Sequence, residues 1–319
     1  MHRYDPDPMV TKRGRTWISR GAVVAVFLLV ALVGGGVWYH AGEIERSVLR
    51  KTMDHDAPER FGSATTPGDV GVAYTEIILG GPAGDYPTWL IEGVSDRWVV
   101  FVHGLDGDRR EALRVLPSVV GEGYPALVVS YRNDGDGPAD GSGRHALGST
   151  EWRDLDVAVS FAMANGARDV VLYGFGAGAS VIGAYLANDT PGVVAGVVFD
   201  GPLVDATDAA LAVSAHRRVP ALLARWARAM VTFRFGVDLA SSSLLRRIEH
   251  LTVPVLLIHG EADDRHPVAS TRLLADALPD AVLHIVDGAG HGEAWNLGQV
   301  GYESAVRAFV RDLPSDSEP

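Results

Sequence analysis

The 319-residue sequence has no cysteine, and only 28 lysines and arginines against 40 aspartates and glutamates. Without thiols the chain can form no disulfide, thiolate metal site or cysteine nucleophile. The net charge of −12 argues against a nucleic-acid partner, because phosphate binding needs a basic surface. The 11 histidines lack the paired spacing that zinc sites use, so we expect no metal ion.

A dinucleotide cofactor is not expected either. Gly174, Gly176 and Gly178 resemble the start of the fingerprint G-x-G-x-x-G. Its third glycine is missing, because Val181 stands there when the motif is counted from Gly176. The sequence therefore predicts no cofactor.

Charged side chains are absent from residues 21–42, which are mostly alanine, valine, leucine and phenylalanine. About 20 apolar residues match a bilayer core of about 30 Å, so we predict a transmembrane anchor here. Trp38 and Tyr39 stand where an interfacial aromatic belt would lie. The basic residues Lys12, Arg13, Arg15 and Arg20 precede the apolar run. By the positive-inside rule, residues 1–20 are then a basic cytoplasmic N-terminus, and the remainder lies outside the cytoplasm.

A cleaved signal peptide is the alternative for the same segment. Ala22–Val33 has the length of a signal-peptide apolar region, and the small residues Gly34–Gly36 follow it. The apolar residues that continue to Tyr39 favour the uncleaved anchor. Either interpretation places the rest of the chain outside the cytoplasm.

From residue 72 onward, strand and helix patterns alternate. Residues 43–71 are predicted as a linker, helical around Glu43–Met53, and residues 314–319 as a tail. Strands are predicted at Val72–Leu79, Tyr86–Glu92, Trp98–Val102, Ala126–Tyr131, Val170–Tyr173, Val193–Phe199, Val255–His259 and Ala281–Val286. Helices are predicted at Arg109–Glu122, Glu151–Asn165, from the turn after Tyr173 to Asn188, Thr271–Leu278 and Gln299–Leu313. After an opening antiparallel pair, this alternation predicts a doubly wound, mostly parallel sheet spanning residues 72–313.

Residues 201–250 interrupt this alternation with a helical pattern. Five apolar residues share one predicted helix face: Leu222, Leu223, Trp226, Met230 and Phe233. A helical insertion after a strand would lie over the strand ends as a cap; an ordinary amphipathic helix covering the core fits the pattern equally well. Arg225 and Arg228 could also face anionic lipid headgroups.

The run from Val170 to Gly178 reads as a strand, a sharp glycine turn and the start of a helix. It has the frame of the nucleophile elbow G-x-S-x-G, but Gly176 stands where the serine belongs. The residue that would attack a substrate therefore has no side chain.

Six motifs in order make the chain resemble α/β-hydrolase-fold proteins of the membrane-anchored serine hydrolase type. It is similar to the α/β-hydrolase-domain acylthioesterases and serine peptidase-like hydrolases. The motifs are Phe101-Val102-His103-Gly104, Ser130-Tyr131-Arg132-Asn133, Glu151-Trp152-Arg153-Asp154, the elbow, His259-Gly260-Glu261-Ala262-Asp263 and Gly288-Ala289-Gly290-His291-Gly292. The resemblance implies an α/β-hydrolase fold over residues 72–313.

The resemblance also implies roles for particular residues. His291 would be the base and Asp263 the acid that orients it, with Asp264 or Asp200 as alternative acids. The backbone N–H groups of Leu105 and Ala177 would form the oxyanion hole.

Two classes of function follow from the missing hydroxyl. Glycine cannot form an acyl-enzyme, so the first is a catalytically impaired homologue that binds an acyl ester, thioester or peptide ligand, or a protein partner. The second is an active hydrolase in which His291 and Asp263 activate water, or a serine from another loop such as Ser142 or Ser149.

Overall fold

The computed structural model describes residues 20–50, 63–105, 107–188, 192–249 and 251–314. The predicted cytoplasmic segment up to residue 19, the linker from 51 to 62 and the tail from 315 lie outside these ranges.

One eight-stranded sheet organises the described residues, in the order β1-β2-β4-β3-β5-β6-β7-β8. The strands are β1 (Thr75–Gly81), β2 (Gly84–Ile91), β3 (Arg97–Val102), β4 (Ala126–Val129), β5 (Asp169–Phe175), β6 (Val194–Asp200), β7 (Val255–Gly260) and β8 (Ala281–Val286). Strands β3 to β8 pair in parallel, and β2 runs antiparallel to both β1 and β4. The predicted mostly parallel, doubly wound sheet is thus confirmed.

Helices lie on both faces of this sheet. They are α1 (Arg20–Val48), α2 (Leu116–Val120), α3 (Trp152–Ala164), α4 (Gly178–Asn188), α5 (Ala206–His216), α6 (Ala221–Phe235), α7 (Leu244–Arg247), α8 (Val268–Ala277) and α9 (Ala294–Asp312). Short 3₁₀ helices occupy Pro67–Val70, Arg109–Arg114 and Leu239–Ser242. One core contains α3, α4 and α8, and the core on the opposite face contains α2 and α9.

The helix predicted over Arg109–Glu122 is wrong as a single element. The structure has a 3₁₀ helix over Arg109–Arg114 and then the short helix α2. Pro117 lies in the first turn of α2. Proline has no N–H and its ring clashes with the carbonyl four residues earlier, so a helix can begin there but cannot run through it.

Residues 206–247 form what we call the cap, which comprises helices α5, α6 and α7. It follows β6 and therefore begins at the carboxyl edge of the sheet. The buried residues Ala210 of α5 and Ala227 and Val231 of α6 pack in a third apolar cluster. That cluster also contains the C-terminal half of α1.

Helix α1 is continuous, but its N-terminal half is exposed and its C-terminal half is partly buried. Phe27 and Leu32 are 71% and 74% exposed, whereas Ala41 and Ile44 are completely buried against the cap. By length and composition α1 is a candidate membrane span or signal segment. It continues past residue 42 to Val48, so its last turns occupy the start of the predicted linker.

Polar contacts fix the end of α1 to the domain. His40 Nε2 lies 2.8 Å from the Ser214 hydroxyl on α5, and Glu43 pairs with Arg217 just after α5. Glu45 Oε1 accepts a 2.5 Å hydrogen bond from Arg144.

A buried carboxylate joins two of the sequence motifs. Asp154 accepts hydrogen bonds from the Arg132 side chain at 2.5 and 2.8 Å and from the Tyr86 hydroxyl at 2.6 Å. Its side chain is fully buried. Burial first, and then the bond to Asp154, raises the pKa of Tyr86 to about 12. Asp154 thereby ties α3 to the sheet.

Replacing Asp154 by alanine should strongly destabilise the fold, because Arg132 and Tyr86 lose the group that compensates their burial. We expect the free energy of unfolding, measured by urea titration of the solubilised chain, to fall by about 3–5 kcal/mol. Asp276→Ala, at an exposed position of α8, is the control and should change it by less than about 0.5 kcal/mol. Equal small losses in both variants would contradict the structural role of Asp154.

Candidate functional site

The elbow lies between β5, which ends at Phe175, and α4, which begins at Gly178. Gly176 has φ +48°, in the left-handed region. A Cβ added there would meet only Gly104 Cα at 3.7 Å and His266 Cε1 at 3.9 Å, which are ordinary contacts. A side chain at residue 176 would therefore fit the available space, at the cost of backbone strain.

Residue 178 has to be glycine for a steric reason. A Cβ on Gly178 would lie 2.3 Å from the carbonyl oxygen of Val102 and 2.6 Å from that of His103. Only glycine lets the start of α4 approach the end of β3 so closely. The elbow thus keeps its shape whatever residue occupies position 176.

The structure brings His291 and Asp263 together, from the loops after β8 and β7. His291 Nδ1 lies 2.9 Å from Asp263 Oδ2, with the Asp263 side chain 1% exposed. A close backbone approach permits this, since a Cβ on Gly260 would lie 2.3 Å from the carbonyl oxygen of Ala289.

Asp263 is held as a carboxylate. Its Oδ1 accepts the backbone N–H groups of Arg265 and His266 at 2.9 and 2.8 Å. Burial acts against the charge, but hydrogen bonds from His259 and His291 outweigh it and keep the pKa of Asp263 well below its usual range. A carboxylate at Nδ1 fixes the proton on that nitrogen of His291, so Nε2 is the free acceptor.

The two alternative acids have other surroundings. Asp200 Oδ2 accepts a 2.7 Å hydrogen bond from the Tyr302 hydroxyl and lies 3.5 Å from Arg114 Nη2. Asp264 is exposed at the rim of the pocket described below. Of the three candidates, Asp263 is the one hydrogen-bonded to His291.

His266 belongs to the site, although the sequence analysis did not identify it. Its ring stands edge-on to that of His291, with centroids 4.5 Å apart, and its Nδ1 lies 2.9 Å from the carbonyl oxygen of Gly201. Burial, followed by repulsion from His291, lowers the pKa of His266 to about 3. The signal that could have revealed it is a histidine three residues after Asp263, in the same loop.

The ligand atoms of Asp263, His266 and His291 lie within 4.8 Å of one another, so these side chains could hold a metal ion. Both oxygens of Asp263 already accept hydrogen bonds from protein N–H groups. The expectation of a metal-free site stays a prediction.

The backbone near the expected oxyanion hole is rigidly oriented. His103 Nδ1 lies 2.8 Å from the carbonyl oxygen of Gly104, and His103 Nε2 lies 2.9 Å from Asp134. In a trans peptide the N–H points away from the carbonyl. Because His103 holds the Gly104 carbonyl, the N–H of Leu105 is turned to the opposite side. Leu105 and Ala177 both line the pocket.

Glu111 is a second residue that sequence reasoning missed. Its Oε2 accepts a 2.5 Å hydrogen bond from the N–H of Gly104. Burial raises the pKa of Glu111, with the attraction of Arg114 acting against it. Glu111 and Arg114 thus give the pocket a charged wall beside the elbow.

These groups surround one cavity of about 620 Å³. Its polar side is formed by the elbow, His291, His266, Glu111 and Arg114. Its apolar side is formed by Val48 at the end of α1, Leu203 before the cap, and Ala209, Ala212 and Val213 of α5. His216 and Arg217 of the cap also line the cavity.

The C-terminal part of the chain, residues 239–317, matches the family model described as TAP-like protein, one of the α/β-hydrolase models. This range contains Asp263 and His291 but begins after the elbow, which it does not include. No curated protein sequence matches the chain.

Solved structures match much more of the chain. The esterase Pf2001 of Pyrococcus furiosus is 20% identical, with a TM-score of 0.64 over 79% of this chain and 98% of its own. The esterase EaEST of Exiguobacterium antarcticum is 17% identical, with a TM-score of 0.56 over 75% of this chain and 100% of its own. A bromoperoxidase from Bacillus anthracis is 16% identical, also with a TM-score of 0.56, over 75% and 100%. At such identities the likeness concerns the fold, and the chain has the α/β-hydrolase fold.

Proposed function

We propose that this protein is a membrane-anchored pseudoenzyme of the ester, thioester and amide hydrolase lineage, which binds a ligand or partner in the pocket beside the elbow. The observation that carries this proposal is Gly176. A Cβ added at residue 176 would lie 3.9 Å from His266 Cε1, so the position has space for a side chain but carries none. Without an oxygen there, no acyl-enzyme can form.

Ser142, Ser149 and Ser180 are not placed to replace the missing hydroxyl. Ser142 is exposed, and its hydroxyl contacts the carbonyl oxygen of Arg144 at 3.4 Å. Ser149 is exposed, and neither it nor Ser142 is among the residues lining the cavity. Ser180 is fully buried, with its hydroxyl 3.4 Å from the Leu203 carbonyl. Ser47, at the end of α1, does line the cavity.

The cavity suits a ligand with an apolar arm and a carbonyl group. Its cap side, with Ala209, Ala212 and Val213, can pack against an acyl chain or an apolar peptide side chain. The N–H groups of Leu105 and Ala177 can hold a carbonyl oxygen at the other end. An acyl ester, a thioester or a peptide would meet both requirements.

The alternative is an active hydrolase, and the hydrogen bond between His291 and Asp263 favours it. This pair orients the His291 ring, whose Nε2 could take a proton from a water molecule held in the space above Gly176. A nucleophile-less triad of this kind retains only about 10³–10⁴-fold acceleration over water. Such an enzyme would be slow.

Burial of the end of α1 supports the uncleaved anchor. Val37, Ala41 and Ile44 lie in the same apolar cluster as the cap, so α1 is part of the domain's packing. Its N-terminal half is exposed and apolar, as a lipid-facing segment would be. We therefore place residues 1–20 in the cytoplasm and the hydrolase domain outside it.

Gly176→Ser should create an esterase. The new hydroxyl would open into the cavity that His291 also lines, so we expect turnover of short p-nitrophenyl esters and fluorophosphonate labelling at residue 176. The positive φ should lower the free energy of unfolding by about 1–3 kcal/mol.

The matched control is Gly176→Ala, which adds the same Cβ without the oxygen. It should lose similar stability and gain no activity, and His291→Ala added to Gly176→Ser should abolish the gain. Strong fluorophosphonate labelling of the native chain would contradict the pseudoenzyme proposal and direct attention to Ser47.

The neutral state of His266 should make the stability of the fold depend on pH. Its pKa is about 3 in the folded chain against 6.5 in the reference state. Between these values the unfolded chain binds a proton that the folded chain does not, so stability falls as pH falls, by up to about 1.4 kcal/mol per pH unit.

His266→Asn, whose amide can still donate to the Gly201 carbonyl, should flatten this dependence. Urea unfolding of the native chain and the variant across that pH window tests it. Parallel stability curves would show that His266 does not carry the effect.

Topology can be tested by protease accessibility. Protease added to spheroplasts should digest the hydrolase domain and leave an N-terminal tag intact, because the basic residues before α1 stay inside. A protected domain with a digested tag would reverse the proposed orientation.

A further inference from the structure

One face of the cap helix α6 is apolar and exposed. Leu222, Trp226 and Phe233 are 58%, 47% and 83% exposed, and with Ala229 they follow helical spacing along a single stripe. The opposite face, with Ala227 and Val231, is buried. A cap helix facing water would carry polar side chains on its outer face. An exposed apolar stripe therefore indicates a surface that contacts another molecule or a membrane.

The stripe continues onto the exposed surface of α1. A groove of about 680 Å³ separates the two helices, and its lining side chains carry no charge. The lining residues are Leu29, Val30, Val33, Gly34 and Val37 of α1 and Trp226, Ala229, Met230 and Phe233 of α6. The two helices thus present one continuous apolar surface.

The position of this groove along α1 identifies what covers it. Residues 29–37 lie inside the apolar run 21–42 and cover about 12 Å of helix at 1.5 Å per residue. If that run crosses a bilayer of about 30 Å, the stripe of α6 lies at the depth of the lipid tails on the domain's side. Water cannot be the solvent of Trp226 at that depth.

Two of the three arginines of α6, Arg225 and Arg234, are placed as a helix at a lipid surface requires. Arg234 stacks over the Trp38 ring at 4.1 Å, at the end of the apolar run. Arg225 is exposed beside the stripe. Long arginine side chains can extend from a lipid-embedded helix to the phosphate groups of the headgroup layer.

We propose that α6 is a second membrane contact, with the stripe Leu222, Trp226, Ala229 and Phe233 embedded in the phospholipid leaflet nearest the domain. This inference rests on the proposed anchoring of α1. Helix α5, which lines the cavity through Ala209 and Val213, is joined to α6 by residues 217–220. Docking of α6 would therefore hold one wall of the cavity at the lipid surface.

The absence of cysteine makes the test direct, because one introduced cysteine gives one labelled position. The full chain is prepared as Leu222→Cys, Trp226→Cys and Phe233→Cys and labelled with an environment-sensitive NBD dye. Phe27→Cys, at a 71% exposed position of α1, reports on the anchor alone. Val94→Cys, at a 96% exposed position before β3, is the matched control on the opposite edge of the sheet.

Each labelled protein is reconstituted into vesicles of phosphatidylcholine and phosphatidylglycerol, with and without spin-labelled lipid. We expect a blue-shifted emission and loss of fluorescence through lipid quenching at residues 27, 222, 226 and 233, and neither at residue 94. Melting temperatures equal to that of the native chain show that the labels leave the fold intact.

The remaining outcomes separate the two proposals. Quenching at residue 27 but not on α6 would overturn the docking of α6 and leave the anchor standing. No quenching at residue 27 would overturn the anchor and the docking with it. A blue shift on α6 without lipid quenching, with energy transfer between differently labelled copies, would assign the stripe to a second copy of the chain and also overturn the proposal.

Discussion

The site depends on close approach of backbones at the carboxyl edge of the sheet. Because Gly178 has no Cβ, the start of α4 can lie against the carbonyl oxygens of Val102 and His103. In the same way, Gly260 lets the end of β7 lie against the carbonyl oxygen of Ala289. The first contact holds the start of α4 against the end of β3, and the second holds the loop that carries Asp263 against the loop that carries His291. None of them involves a side chain at residue 176, so the arrangement of the site does not require one.

The pair formed by Asp263 and His291 also has a structural role. Asp263 is buried and accepts hydrogen bonds from His291 and from the backbone of Arg265 and His266, which binds two loops together. Removing one partner of a buried charge costs about 3–5 kcal/mol. Structural stability is therefore a sufficient reason to retain Asp263 with His291, and their presence alone does not establish catalysis.

The central strands could be predicted because a parallel strand is buried on both faces and its sequence is therefore a continuous apolar run. The sequences of β3, β5 and β7 contain such runs, and all three strands are buried along their length. The His291–Asp263 pair was reached only through the resemblance. His266 and Glu111 were missed because their roles come from loop conformation and from packing against Gly104. Linear spacing carries no information about contacts of that kind.

Helix α1 combines a candidate membrane span with residues that line the cavity. Its apolar first half is a candidate membrane span, and Ser47 and Val48 at its other end line the cavity. Between them, Ala41 and Ile44 are buried against the cap. A rigid helix transmits its position along its length, so the place of α1 in a membrane would also set the place of this cavity wall. The candidate membrane span and one wall of the cavity thus belong to the same helix, and a domain lacking α1 would expose the apolar cap residues that α1 covers.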